Sequence, residues 1–198
     1  MDIITQAALG GAVAQAGYKT TGRRGILFGA FCGIVPDLDG LLSIGDGWQD
    51  LVIHRGSSHS LLVLPLLALP IGWLGWRFLN RSGDMKAWIW LAFWSLITHP
   101  LLDSFTTYGT QLFAPLSDHR FAFDTVAIVD LFYSLPIFAA VALGLRGSVC
   151  RDRAAHWSRR ALTWGCLYLD AQLGWTKANV WRFEARLADA GFEAVHVR

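Results

Sequence analysis

The chain has 198 residues, 54% of them hydrophobic and only 16% charged, with ten tryptophans and a formal net charge of +2; its mean hydropathy is +0.38. That composition excludes an ordinary soluble domain, and 17 Lys and Arg set against 15 Asp and Glu give no basic field for nucleic acid. Cys32, Cys150 and Cys166 are odd in number and widely spaced, so neither a disulfide framework nor a thiolate metal cluster is expected.

The expected fold is all-α: a polytopic membrane bundle of about six helical segments, two short ones at the N-terminus and four full spans, followed by a C-terminal amphipathic helix. The first segment, about Ile3 to Ala16, begins with Asp2 instead of a basic region and carries Thr5, Gln6 and Gln15, so it reads as mature chain and not as a signal peptide. The second, about Gly25 to Val35, places Gly25, Gly29 and Gly33 at four-residue intervals, a stripe that permits close helix contact. Each is about 11 to 15 residues, or roughly 16 to 22 Å, short of the ~30 Å hydrocarbon core. Full-length spans are expected at about His59 to Phe78, Ala87 to Thr106, Val126 to Leu145 and Ala161 to Lys177. Residues 1–178 then form one membrane-embedded domain. Residues 179–198 form its tail, in which Val180, Phe183 and Leu187 share one side of an amphipathic helix.

The basic residues sort by connection. Lys19, Arg23 and Arg24 lie on one loop, Arg77, Arg81 and Lys86 on a second, and Arg146, Arg151, Arg153, Arg159 and Arg160 on a third; the alternate loops hold only Arg55 and Arg120. By the positive-inside rule the first set is cytoplasmic, provided both short helices cross. Loops 36–58 and 106–125 then face away from the cytoplasm, in a multi-pass protein of the bacterial inner membrane.

Those outward loops carry the chemistry. Pro36-Asp37-Leu38-Asp39-Gly40 ends the second segment, and its two carboxylates suit a divalent metal if the turn is extended; alone, an Asp-x-Asp is more often a solvated turn. His54-Arg55-Gly56-Ser57-Ser58-His59-Ser60 leads into the next span, with Ser57 or Ser58 expected as the helix cap and His59 in its first turn. In the central span His99 and Asp103 are four residues apart on one helix face, with Pro100 between them removing the backbone donor that Leu96 would use. An imidazole and a carboxylate in such an apolar setting rarely sit idle. Asp37, Asp39, His54, His59, His99 and Asp103 are therefore the candidate ligands of one or two divalent ions, with Asp39, His59 and Asp103 the candidate catalytic residues. The competing reading is a hydrogen-bonded structural cluster without metal. Arg55, Tyr108, Gln111 and Arg120 are candidates for substrate contact, the arginines because a guanidinium matches a phosphate or carboxylate. Interfacial anchoring explains each of them equally well when taken singly. Asp130, a short way into the following span, is a candidate partner or further ligand, and Asp170 has no evident neighbour.

With these motifs assembled, the chain resembles the YdjM-like family of bacterial inner-membrane metal-dependent hydrolases. The resemblance rests on Asp2-Ile-Ile-Thr-Gln-Ala-Ala-Leu-Gly10, Pro36-Asp37-Leu38-Asp39, His54-Arg-Gly-Ser-Ser-His59-Ser60, His99-Pro-Leu-Leu-Asp103 and Tyr108-Gly-Thr-Gln-Leu-Phe113, with Asp118 and Asp124 beyond. It implies a helical membrane protein whose His and Asp residues hold catalytic metal. It does not extend to position 6, where some relatives carry His and this chain has Gln6.

The leading expectation is a hydrolase whose metal-activated water attacks an ester or phosphoester of a lipid or lipid-linked substrate. Zn is the first choice for mixed imidazole and carboxylate ligands, with Mn and Fe as alternatives. The rival is a non-catalytic metal-binding membrane protein, a transporter or a scaffold. Transport needs access from the cytoplasmic side as well, where only the isolated His156 is available.

Overall fold

The computed structural model of the chain describes residues 1–18, 21–42, 56–81, 83–146 and 149–190, with the backbone alone at 39–42. Among the described residues there are six α-helices and no strand. They are α1 (Ile3–Gly17), α2 (Gly22–Ile34), α3 (Leu64–Leu79), α4 (Met85–Asp103), α5 (Leu131–Leu145) and α6 (Arg151–Asp189). Two 3-10 turns, Val35–Leu42 and Ser57–His59, lie between α2 and α3. The all-α expectation holds.

Local sequence explains most helix starts. Asp2 accepts from the Thr5 amide to cap α1, Asp84 accepts from Lys86 to cap α4, and Asp130 accepts from Tyr133 to cap α5. A side-chain oxygen satisfies one of the amides that a helix start leaves without an intrahelical partner. Asp130 is thereby corrected from candidate ligand to helix cap, its second oxygen accepting from the Tyr168 hydroxyl at 2.8 Å.

The glycine stripe acts as its spacing implies, at two of its three positions. A Cβ added to Gly29 would lie 2.4 Å from the Gly10 carbonyl oxygen, and one on Gly33 would lie 2.3 Å from that of Gln6. Backbones of α1 and α2 thus touch where a side chain would hold them apart. Gly25 faces its own helix start, its missing Cβ overlapping the Thr21 side chain. Helix α1 also packs against α4, α5 and α6, so it is the axis of the bundle, while α3 pairs with α4 and α5 with α6. One apolar core gathers Phe28, Cys32, Leu64, Trp88, Leu91 and Leu96, and a second Leu9, Ala12, Leu102, Tyr133 and Ile137.

Four expectations are corrected. The helix expected from His59 starts at Leu64, whose amide donates to the Ser60 carbonyl, because Leu61 donates its amide to the Leu112 carbonyl and the Ser60 hydroxyl donates to that of Ala114, tying residues 60 and 61 to the loop. The span expected from Val126 starts at Leu131, behind the Asp130 cap. The last span and the amphipathic tail are one 39-residue helix that runs through positions 178 and 179. Finally, the four full-length spans are not found: no helix among the described residues is long and apolar enough to cross a membrane. Helices α3 and α5 have 16 and 15 residues, about 22 to 24 Å at ~1.5 Å per residue. Helix α4 has 19 residues but carries Lys86, His99 and Asp103.

Polarity is arranged inside out for a water-soluble bundle. Thr5, Gln6, His59, Ser95, His99 and Asp103 are buried, whereas Leu66, Phe78, Phe132, Leu167, Trp175 and Trp181 are exposed. An exposed apolar surface of this extent marks contact with a membrane or a partner.

Candidate metal centre

Four side chains from three segments converge at one end of the bundle. Asp37 comes from the 3-10 turn after α2, His59 from the second 3-10 turn, and His99 and Asp103 from the last turn of α4. One ligand atom from each lies within 4.8 Å of every other. His59 Nε2 and His99 Nε2 are 3.1 Å apart, each is 3.3 Å from Asp37 Oδ1, and each is 3.6 Å from Asp103 Oδ2. Donors on one tetrahedral ion with bonds of about 2.0–2.1 Å stand roughly 3.3 Å from one another, so the four fit a single divalent cation.

The backbone decides which imidazole nitrogen faces inward. His99 Nδ1 lies 2.6 Å from the Gly33 carbonyl oxygen. A carbonyl can only accept, so Nδ1 carries the proton and Nε2 turns its lone pair to the cluster. His59 Nδ1 is 2.9 Å from Ser58 Oγ, which leaves its Nε2 for the same point. Such partners on the far nitrogen are how proteins orient metal-binding histidines.

Electrostatics favour the ligand forms. Burial pushes the His59 imidazole below the ordinary histidine value, opposed by the hydrogen bond that a protonated ring donates to Asp37. For Asp37 burial acts in the other direction, but the His59 and His99 rings, which donate to it whenever an Nε2 holds a proton in place of a metal, outweigh burial and hold the carboxyl well below the usual carboxylate range. A neutral imidazole and an ionised carboxylate are the states that bind metal.

Asp103 is 1% exposed and heavily supported. Its Oδ1 accepts from the Met1 ammonium and, at 3.0 Å, from Gln6 Nε2, which also reaches the His99 carbonyl at 3.3 Å. The sequence reading noted Gln6 only as a position where some relatives carry His, and missed its contact with Asp103. Gln6 is no ligand by this geometry, since its amide nitrogen faces the carboxylate, but it ties α1 to both α4 residues of the cluster. The available signal was a long amide in a helix made mostly of small and aliphatic residues.

Of the six expected ligands, the structure brings together Asp37, His59, His99 and Asp103. His54 and the Asp39 side chain lie outside the described residues, as does Arg55 among the substrate candidates. Tyr108, Gln111 and Arg120 sit on the loop between α4 and α5. That loop is pinned by paired hydrogen bonds between Thr110 and Phe121 and hooked to residues 60 and 61 just after His59. Tyr108 is 53% exposed. His119 stacks edge-on against Phe121 and Asp170 is on an exposed stretch of α6; neither joins the four donors.

A family model described as YdjM inner membrane protein matches residues 1–179. The chain is 37% identical over 111 residues to the inner membrane protein YbcI of Escherichia coli, an alignment covering 53% of this chain and 61% of that one. It is 26% identical over 112 residues to the uncharacterized protein YfhP of Bacillus subtilis, covering 57% of this chain and 34% of that one. The chain thus matches about a third to three fifths of the length of these relatives. No solved structure gives a significant match.

Proposed function

The chain belongs to the YdjM inner membrane protein family, and we propose that it is a metal-dependent hydrolase of the bacterial inner membrane, acting on an ester or phosphoester of a lipid or lipid-linked substrate. The observation that carries this reading is the convergence of two inward-facing Nε2 atoms and two carboxylate oxygens at mutual distances suited to one ion, beside an exposed apolar surface. Zn suits this mixed donor set first, then Mn or Fe. Bound there, a divalent ion supplies Lewis acidity toward the ester and lowers the pKa of a water to about 7.

The chain's own residues supply the rest. Gly33 and Ser58 orient the two rings, Gln6 holds the Asp103 carboxylate, and the closely packed α1, α2 and α4 exclude bulk water from the inner side of the cluster. Asp39, two residues from Asp37, remains the candidate for a further carboxylate of the reaction. Tyr108, Gln111, Arg120 and Arg55 are assigned to the substrate, with a guanidinium matched to a phosphoryl oxygen.

The apolar outer faces of the helices lie against acyl chains in this reading, with the metal centre at the extracytoplasmic end and the arginine-bearing end toward the cytoplasm. Purification without chelator followed by metal analysis, and assay against phosphodiester and carboxylester lipid analogues, tests the proposal. It expects close to one divalent transition metal per chain and turnover abolished by chelation. Protein that is metal-free and takes up neither Zn nor Mn would leave only a structural polar core. Metal without turnover on any ester would favour the scaffold or transporter.

A further inference from the structure

At the end of α1 remote from the metal centre there is a cavity of about 520 Å³, lined among others by Gln15, Tyr18, Arg23, Arg24 and Arg151. Gln6, which holds Asp103, and Gln15, in the cavity lining, are nine residues apart on α1, about 13 Å at ~1.5 Å per residue. No carboxylate lines it among the described residues; Asp152 follows Arg151 in the chain without joining the lining.

Two helices begin here, and neither start is capped. Thr21, before α2, makes no side-chain cap hydrogen bond, because its hydroxyl donates to the Tyr18 carbonyl at 2.6 Å. Cys150, before α6, makes none either. Both starts therefore carry the positive end of a helix dipole without a hydrogen bond from the N-cap side chain; Asp152 in the first turn of α6 offsets part of it there, and α2 has no acid in its first turn.

Three guanidiniums are added to those two positive ends. Arg151 lies over Gly22, its Nη2 3.4 Å from where a Cβ would stand, and Gly22 takes the left-handed φ of +59° that lets α2 begin there. Arg24 spends Nη1 on the Leu79 carbonyl at 2.6 Å and keeps its other donors. Arginine beside a helix N-terminus is the reverse of what the dipole favours, and the like charges repel unless an anion lies among them.

A second observation concerns the wall. Gln15 is 6% exposed, and its Nε2 donates to the Ala140 and Ala154 carbonyls at 2.8 and 2.9 Å. Two carbonyl acceptors fix the amide orientation, because a flip would set oxygen against oxygen. Gln15 Oε1 is thereby turned toward Gly144, also in the cavity lining, and has no hydrogen-bond partner. A buried acceptor left without a donor is an exception to the rule that buried polar groups are hydrogen-bonded.

We propose that this cavity binds a phosphate ester bearing a hydroxyl group, the phosphate among Arg23, Arg24, Arg151 and the two helix starts, and the hydroxyl toward Gln15. Glycerol phosphate has this chemistry, whether free or as the headgroup of an anionic phospholipid. The site is independent of the metal reading and stands or falls without it.

The test uses the full chain in a zwitterionic detergent. Binding of glycerol 3-phosphate is measured by calorimetry, and retention of phosphatidylglycerol against phosphatidylcholine by native mass spectrometry. Arg23→Gln/Arg151→Gln is compared with Arg81→Gln/Arg153→Gln, which removes equal charge outside the lining. The expected result is at least tenfold weaker binding in the first variant and less than twofold change in the second. Binding of glycerol 3-phosphate identifies a free ester as a ligand, and selective retention of phosphatidylglycerol alone identifies the lipid headgroup. Arg151→Lys, which keeps charge and fold but loses the two-pronged donor, is expected to weaken binding at least threefold and replaces the double variant if that does not fold. Absence of binding in both arms, or equal loss in both double variants, overturns the proposal. Metal content, read in parallel, should be unchanged throughout.

Discussion

His99 Nδ1 lies 2.6 Å from the carbonyl oxygen of Gly33, and that contact joins the close packing of α1 and α2 to the candidate metal centre. Gly33 is also the point at which α2 rests on the Gln6 carbonyl of α1, with no room for a Cβ. One glycine therefore sets both the helix separation and the inward lone pair of His99.

Gly33→Ala is accordingly a metal-site mutation made without touching a ligand. Its Cβ would stand 2.3 Å from the Gln6 carbonyl oxygen, so α2 must shift and carry the Gly33 carbonyl off His99. Metal affinity should fall about 10- to 100-fold, as when the outer partner of a ligand is lost. Competition with a chromophoric chelator measures it, and an unchanged affinity would detach the glycine stripe from the site.

Asp103→Asn keeps size and hydrogen-bonding capacity and removes the charge. A ligand should lose at least the ~10- to 100-fold that the loss of a supporting partner costs, while the variant still inserts in the membrane. His99→Gln should behave alike, because both side chains rise from the same face of α4 to one point. Full occupancy by metal analysis in either variant would remove α4 from the centre.

Gln6→Leu removes both the hydrogen bond to Asp103 Oδ1 and the one to the His99 carbonyl, at nearly constant volume. Metal affinity should drop about tenfold with the helices intact by circular dichroism. A loss comparable with that of Asp103→Asn would instead make Gln6 a ligand.

Ser60→Ala tests the loop that carries Tyr108, Gln111 and Arg120. The Ser60 hydroxyl is fully buried and donates to the Ala114 carbonyl, so its loss should cost about 1–3 kcal/mol, felt mainly by that loop. Amides between 108 and 121 should exchange faster by roughly tenfold or more, whereas those of α4 should not. If the loop positions substrate, turnover should decline through KM without loss of metal.

Orientation in the membrane is open to labelling in a chain freed of its own cysteines. Ser57→Cys, at an exposed position beside the metal centre, should react with an impermeant maleimide in intact cells. Arg153→Cys, exposed near the start of α6, should react only after lysis. The reverse pattern would invert the bundle.

The sequence by itself determined the class, all-α and apolar, and a set of candidate His and Asp residues that includes the four the structure brings together. His99 and Asp103 share a face because 3.6 residues per turn is a local property, and the glycines of α2 line up for the same reason. It also placed Asp37 in a connection between helices, but it put His59 in the first turn of the next helix, where the structure has a 3-10 turn that ends before that helix begins. Tertiary structure decided what local periodicity does not contain. The Gly33 carbonyl that fixes the His99 ring is 66 residues away in the chain, and Gln6 reaches Asp103 across 97. Helix boundaries moved for similar reasons: residues 60 and 61 are tied by hydrogen bonds to the loop at 112–114. Hydropathy, read as a sum over a window, counted those residues into a full span. The packed chain divided them between a 3-10 turn, a loop contact and a 16-residue helix, because backbone groups settle with whichever partners the fold brings within reach.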